Sequence, residues 1–446
     1  MSRDFDVVIA GAGPVGCVMA VLLVARRIAA PGRVAVVAER AVAPSAGAAS
    51  AVAAPSAGAA SAWLPWDLRV FALSRASERL LRICGVWQRL PSRLMFPYER
   101  MCVWDESGVP GGRNSLTFDC AELGEPDLGC IVDGRALQEC CLLAAAGAGV
   151  VFVDEPVRSI EVAERGVRIA LNDGRDLDAQ LLIAADGAGS RIRTLLGVPT
   201  AGHSYHQDAM VAHVRTAEPH RSTAWQRFLS TGPLAFLPLS DGRCSIVWSV
   251  TREMSERLRA LDASEFAAAV QAASGEVLGA IELTTAIASF PLHLQYAVDY
   301  VRPRAALVGD AAHAVHPLAG QGLNLGFLDC ATLAEVLEDA GAPGEAAARV
   351  RSATLVQSAT LVQSATLGDH GALRRYERRR KSENLLTAAA LDGMERLFAT
   401  SNPAVVSLRA AGLGAVGRLG FLKRRLARRA LGIEGDVPAF VKMPGS

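Results

Sequence analysis

The sequence predicts an α/β protein: a Rossmann-like dinucleotide-binding domain interleaved with a second β-sheet domain, then a C-terminal helical region. Two observations carry most of this. The run Gly11-Ala12-Gly13-Pro14-Val15-Gly16 stands between a strand-like and a helix-like segment. From Ala209 to Thr251 the pattern turns strand-like, with a hairpin signal at Ser240-Asp241-Gly242-Arg243. A chain of 446 residues suits two or three domains.

Asp4 to Ala10 reads as a buried strand, the glycines as a tight turn, and Cys17 to Ala29 as a helix. A second strand, Arg33 to Ala38, ends at Glu39. Glycines at this spacing let backbone N–H groups approach a pyrophosphate at a helix N-terminus, and Glu39 can accept a ribose hydroxyl. The uncharged stretch Val7 to Ala25 has the length of a membrane span, but its glycines and Pro14 spell the dinucleotide turn instead.

Two more apolar strands end in the same kind of turn. Leu181 to Ala185 runs into Asp186-Gly187, and Ala305 to Val308 into Gly309-Asp310. Such turns lie where open sheets bind ligands, at the carboxyl ends of strands. The segment Leu318 to Asn324 opens a helix running to about Ala340, whose positive end points at whatever lies above Gly320 to Asn324. In the second domain the strands are Met210–Val214, Thr223–Leu229, Leu234–Leu239 and Ser245–Val250. Phe228, Phe236, Pro238 and Trp248 are candidates there for either cavity lining or core.

Composition removes several classes. Hydrophobic residues are 51% and charged ones 20%, enough to bury a large interior. Lys+Arg 46 against Asp+Glu 45 leaves +1, which argues against a nucleic-acid partner. The 9 cysteines form no C-x-x-C pair and the 8 histidines no metal-spaced cluster, so no metal site is expected and the thiols read as reduced, in a cytoplasmic protein. Two tandem repeats, Pro44 to Ala51 recurring at Pro55 and Ser352 to Gln357 recurring at Ser358, match no repeat fold and read as duplications within connections at 41–62 and 352–367. Leu413 to Leu431 mixes apolar residues with Arg418, Lys423, Arg424, Arg425, Arg428 and Arg429. It reads as a basic amphipathic helix, for an anionic membrane surface or for packing on the protein.

The motifs at Gly11, Asp186 and Gly309 resemble those of single-component flavoprotein aromatic hydroxylases. More narrowly, His316-Pro317-Leu318-Ala319-Gly320-Gln321-Gly322-Leu323-Asn324-Leu325-Gly326 with Asp329, and Asp67-Leu68-Arg69 followed by Ala72-Leu73-Ser74, resemble the FAD-dependent monooxygenases of ubiquinone biosynthesis. The match runs in order along most of the chain. It implies an FAD-binding domain at 1–75, 100–197 and 290–345, a substrate domain at 76–99 and 198–289, and a helical region at 346–446.

The resemblance also implies roles. Gly11, Gly13 and Gly16 would hold the FAD pyrophosphate, and Glu39, with Arg40 beside it, the adenosine ribose. Arg135 would reach the FAD, although Asp133 and Gly134 precede it where this family often has Glu-Asn. Asp186 would be a cofactor-binding residue, with a part in the FAD domain's architecture or a helix cap as its other readings, and Asp310 would bind the ribityl or pyrophosphate region. The backbone of Gly320, Gly322, Leu323 and Asn324 would face the isoalloxazine ring. Arg69, His316, Pro317 and Gln321 would lie nearest the chemistry, with structural readings open for His313 and His316, a solvated ion pair for Arg69, and a loop-shaping role for Gln321.

The implied reaction is hydroxylation of a polyprenyl phenol by a flavin hydroperoxide, using NAD(P)H and O2. The protein would be cytoplasmic, with peripheral contact at the inner membrane surface and with other ubiquinone-biosynthesis proteins as options. The rival readings are a hydroxylase of a small soluble phenol and a non-catalytic flavoprotein scaffold.

Overall fold

The computed structural model describes residues 4–39, 66–112, 114–316, 320–341, 367–400 and 402–442. Both repeats lie outside these residues except for Leu367.

The first half is a six-stranded sheet in the order Val301–Arg302, Ala305–Leu307, Leu181–Ala184, Val7–Ala10, Val34–Val37, Val151–Val153. Its strands are parallel except at the Val301–Arg302 edge. Val7, Val8 and Ile9 are fully buried, as a central parallel strand covered on both faces requires. The strand is shorter than the Asp4–Ala10 reading because Asp6 turns aside to accept hydrogen bonds from Arg33 and Gln180, each at 3.0 Å. The helix that follows, Pro14–Ala25, begins earlier than predicted. Proline suits the first helical turn, whose N–H groups lack partners anyway. Most of this helix is buried, which accounts for a charge-free run long enough to suggest a membrane span. Among the described residues no helix is long and apolar enough to cross a membrane.

The second half is a nine-stranded, mostly antiparallel sheet built around Thr200–Thr216, Thr223–Leu229, Gly232–Pro238, Cys244–Thr251 and Ala288–Ala297. Arg100–Asp105 and Ser115–Asp119 extend it, the former pairing parallel with Thr223–Leu229. The strands at 100–105 and 115–119, expected in the dinucleotide domain, belong instead to this sheet, since pairing over a long sequence separation leaves no local pattern. The helix Arg75–Ile83 goes the other way. Its Ala76, Leu80 and Leu81 join the core around Val7–Ala10, not that of the second sheet.

The helix His370–Ala399 joins the halves. Leu373 and Tyr376 enter the first core, while Leu391 and Phe398 pack with Val103 and Phe228 of the large sheet. Leu413–Leu431 is not one helix. The chain breaks at Leu419 (ψ 77°) between Pro403–Arg418 and Gly420–Ala430.

Candidate active site

The two sheets face each other across a cavity of about 710 Å³. Its floor is the dinucleotide side: Gly13, Pro14 and Val15 of the first turn, Ala185, Gly187 and Ala188 of the second, and Val308 and Asp310 of the third. Gly320, Gly322 and Leu323 close one end, at the start of the helix Gln321–Gly341. Its roof is one face of the large sheet, including Ala209, Val211, Ala224, Trp225, Ala235, Leu237, Val247 and Ser249.

The glycine turn is dictated by contact distances. A Cβ on Gly16 would lie 2.0 Å from the Gly11 carbonyl oxygen, and one on Gly11, at φ 111°, 2.3 Å from that of Ala185. Both positions exclude a side chain. Gly13 differs: nothing lies within 4 Å of its Cβ position, and it faces the cavity. The turn is therefore packed behind and open in front, the shape a pyrophosphate cradle needs at a helix N-terminus. Gln138, unmarked by any motif, donates to the Ala12 carbonyl and braces the turn from the helix Gly134–Gly147.

The other sequence-named residues separate into three groups. Arg69, Asp310 and His316 line the cavity with Gly13, Gly320, Gly322 and Leu323. Glu39 is exposed just beyond the second strand, and Arg135 is exposed with its guanidinium 3.5 Å from Asp67. Arg40 and Pro317 lie outside the described residues.

The third group is structural. Asp186 accepts from the Ser190 hydroxyl at 2.5 Å and the Ile192 N–H at 3.0 Å, which caps Arg191–Leu195. The Asn324 side chain accepts from Ser74 N–H and Ser77 hydroxyl and donates to the Ala72 and Gly320 carbonyls. Those four bonds occupy it within the protein, so only its backbone remains for a ligand. Gln321 is the first residue of its helix.

Burial raises the Asp310 carboxyl above its ordinary range, and the His313 and Arg69 charges act against this. Beneath it lies a node that the sequence did not assign. Asp329 accepts from the Gly309 N–H at 3.0 Å, sits 2.6 Å from His313 Nε2, and accepts from Arg380 at 2.8 Å and Asn384 at 3.0 Å. Burial pushes its carboxyl up, but the His313 and Arg380 charges outweigh that and hold it at about 2. The node fixes the Gly309-Asp310 turn and gives His313 its structural role. Asp329 closes the quoted motif, whereas Arg380 and Asn384 lie about fifty residues on in another helix, where no spacing connects them. Among the described residues no group of three or more metal-ligating side chains occurs.

Phe228, Phe236 and Trp248 are buried in cores and do not line the cavity. The neighbours of Phe236 and Trp248 one residue away do, because a strand alternates its faces.

This arrangement is that of an FAD-dependent aromatic-ring monooxygenase. The family described as "FAD binding domain" matches residues 142–350. Solved structures share the fold: p-nitrophenol 4-monooxygenase from Pseudomonas putida (TM-score 0.69, 18% identity, 98% of this chain and 100% of that one) and HpxO of Klebsiella pneumoniae complexed with FAD and uric acid (0.66, 20%, 95% and 97%). Sequence relatives are narrower. The chain is 32% identical over 369 residues to 3-demethoxyubiquinol 3-hydroxylase of Escherichia coli (82% of this chain, 88% of that protein). It is 33% identical over 403 residues to the mitochondrial ubiquinone biosynthesis monooxygenase COQ6 of Xenopus tropicalis (80% and 81%). It is 33% identical over 369 residues to ubiquinone hydroxylase UbiL of Rhodospirillum rubrum (82% and 80%). The chain belongs to the FAD-dependent monooxygenase family of ubiquinone biosynthesis.

Proposed function

We propose that this monooxygenase hydroxylates the aromatic ring of a polyprenyl phenol on the route to ubiquinone. The lining of the cavity carries the reading. Its roof is mostly apolar, with Ala209, Val211, Ala235, Leu237 and Val247 beside Trp225 and Phe290, and Arg69 is the one Lys or Arg side chain among the lining residues. A small phenol bearing a carboxylate calls for Lys or Arg partners in that roof, whereas a prenyl-substituted ring calls for apolar surface.

FAD fits the floor. Gly11, Gly13 and Gly16 would hold the pyrophosphate, Glu39 the ribose, and Asp310 the hydroxyls between pyrophosphate and ring. When bound, it supplies the two-electron exchange with NAD(P)H and the activation of O2. The chain's own residues set the conditions. The helix Gln321–Gly341 turns its positive N-terminal end toward developing negative charge. The mostly apolar roof excludes water and holds the substrate ring over the floor. His316 stands at the cavity wall as a neutral imidazole, because burial lowers it to about 4.

The C-terminal helices support peripheral membrane contact. Leu419, Phe421 and Leu426 are exposed near Arg424 and Arg425. Part of the basic charge is spent on the protein, since Lys423 pairs with Glu122 at 2.5 Å and Arg429 with Glu383 at 2.6 Å. Phe421→Ser is expected to weaken binding to anionic vesicles about tenfold in a flotation assay.

Quinone profiling of a strain lacking this gene tests the substrate. The expected result is loss of ubiquinone with accumulation of a polyprenyl phenol short of one hydroxyl. An unchanged quinone pool favours the soluble phenol or the scaffold.

A further inference from the structure

Hydroxylation consumes a proton: a phenol, O2, NAD(P)H and H+ yield the hydroxylated phenol, water and NAD(P)+. Ionising the phenol to activate its ring moves another. A cavity walled by two sheets therefore needs a proton route to solvent. One group of side chains at its edge has no part in the fold or FAD cradle described above.

The strand Thr200–Thr216 loses register against Ala288–Ala297 between Ser204 and Gln207, leaving Tyr205 and His206 unpaired, with His206 at φ 55°. Such bulges re-aim side chains and recur beside active sites. Here the bulge places the Tyr205 ring edge-on to His316, with centroids 5.0 Å apart, and to His203 at 4.9 Å. His316 is 1% exposed, and neither of its ring nitrogens has a hydrogen-bond partner among the described residues. A histidine so buried and so unpaired in a cavity wall calls for a partner. The Tyr205 hydroxyl is likewise buried without a well-aligned hydrogen bond, against the Asp392 carboxylate. Asp392 reaches outward, with Oδ1 at 3.1 Å from Nε2 of the partly exposed His203 and Oδ2 at 3.0 Å from Arg396.

Resting on the hydroxylase reading, we propose that His316, Tyr205, Asp392 and His203 form a proton path between the cavity and solvent. The phenol O–H breaks and its proton goes to one imidazole nitrogen of His316, while the other nitrogen gives up a proton to the Tyr205 oxygen. The Tyr205 O–H breaks in turn, its proton passing to Asp392 and from there to His203 and water. Each centre gains one proton and loses one, and the reverse sequence delivers the proton that turnover consumes. Burial, then the Asp392 charge, raises the Tyr205 hydroxyl, which keeps it protonated and able to relay rather than ionise. The other charged or titratable groups around the path are Glu395, bonded to Gln207 at 3.0 Å, Arg396, His206 and His293.

The test uses the FAD-loaded enzyme and 2-prenylphenol in weak buffer, mixed rapidly with a pH indicator. Tyr205→Phe and Asp392→Asn are expected to slow proton release on phenol binding about tenfold or more, with the phenol Kd within about twofold. His203→Gln, at a partly exposed side chain, slows the same phase, and added imidazole restores it. Wild-type proton rates in all three variants, or a His203→Gln defect that imidazole leaves untouched, overturn the path. A wild-type enzyme that binds no prenyl phenol overturns the hydroxylase reading and the path with it, whereas normal binding with unaltered proton rates overturns the path alone.

Discussion

The floor and the roof of the cavity are built on opposite principles. The floor is backbone: three turns at carboxyl ends of parallel strands, the first of them held by Gly11 and Gly16, where a Cβ has no room. The roof is side chains, taken from alternate residues of antiparallel strands whose other face is a packed core. Ligand contacts from backbone constrain sequence locally, since they need particular glycines at particular spacings. Contacts from alternating side chains constrain only size and polarity, so many sequences can satisfy them. The large residues Phe236 and Trp248 fill the core, and the roof keeps Ala235 and Val247 beside them, which leaves volume for a substrate.

The largest expected effect lies in the floor. In Gly16→Val the new side chain meets the Gly11 carbonyl at 2.0 Å, and the purified variant is expected to hold less than about a tenth of the wild-type flavin by absorbance. Full flavin content would end the claim that this turn is the cradle. Adjacent roof residues should then separate stability from substrate handling. Trp248→Ala is expected to cost about 3–5 kcal/mol in denaturant unfolding. Val247→Phe should keep stability within about 1 kcal/mol while raising KM for a prenyl phenol about tenfold. If the two exchange effects, the assignment of sheet faces is wrong.

The smallest effect is pH. His213 and His316 are lowered from 6.5 to about 4, in each case chiefly by burial, so folding favours their neutral forms. Their contribution is complete above pH 6.5 and is lost as pH falls toward 4. Asp329, held at about 2 against an ordinary 3.8, contributes above pH 3.8 and fails only toward 2. Hydrogen exchange between pH 7 and 4.5 should therefore show the strand Thr200–Thr216 losing protection before Val7–Ala10 does. Simultaneous loss would refute the difference.

Much of the floor was legible. Gly11, Gly13 and Gly16, the Gly309-Asp310 turn and the helix after Gly320 all lie near their expected positions, because each signal spans only a few residues. The C-terminal stretch misled in a different way. The basic, apolar composition of Leu413–Leu431 fits one helix as well as two, whereas the chain breaks at Leu419, just before Gly420. The Arg100–Asp105 strand went to the wrong half for a related reason, since its partner lies more than a hundred residues away.

By itself the sequence determined the glycine turn, the strands at 4–10, 33–38, 181–185 and 305–308, and the family. Glycine spacing and strand-to-turn junctions are short-range requirements written in consecutive residues. Tertiary structure alone decided which face of the large sheet lines the cavity. It also decided that the Asn324 side chain serves the scaffold, and that Asp329 meets Arg380 and Tyr205 meets His316. Those outcomes depend on the phase of a two-residue alternation and on contacts between distant segments, and only the packed chain brings them together.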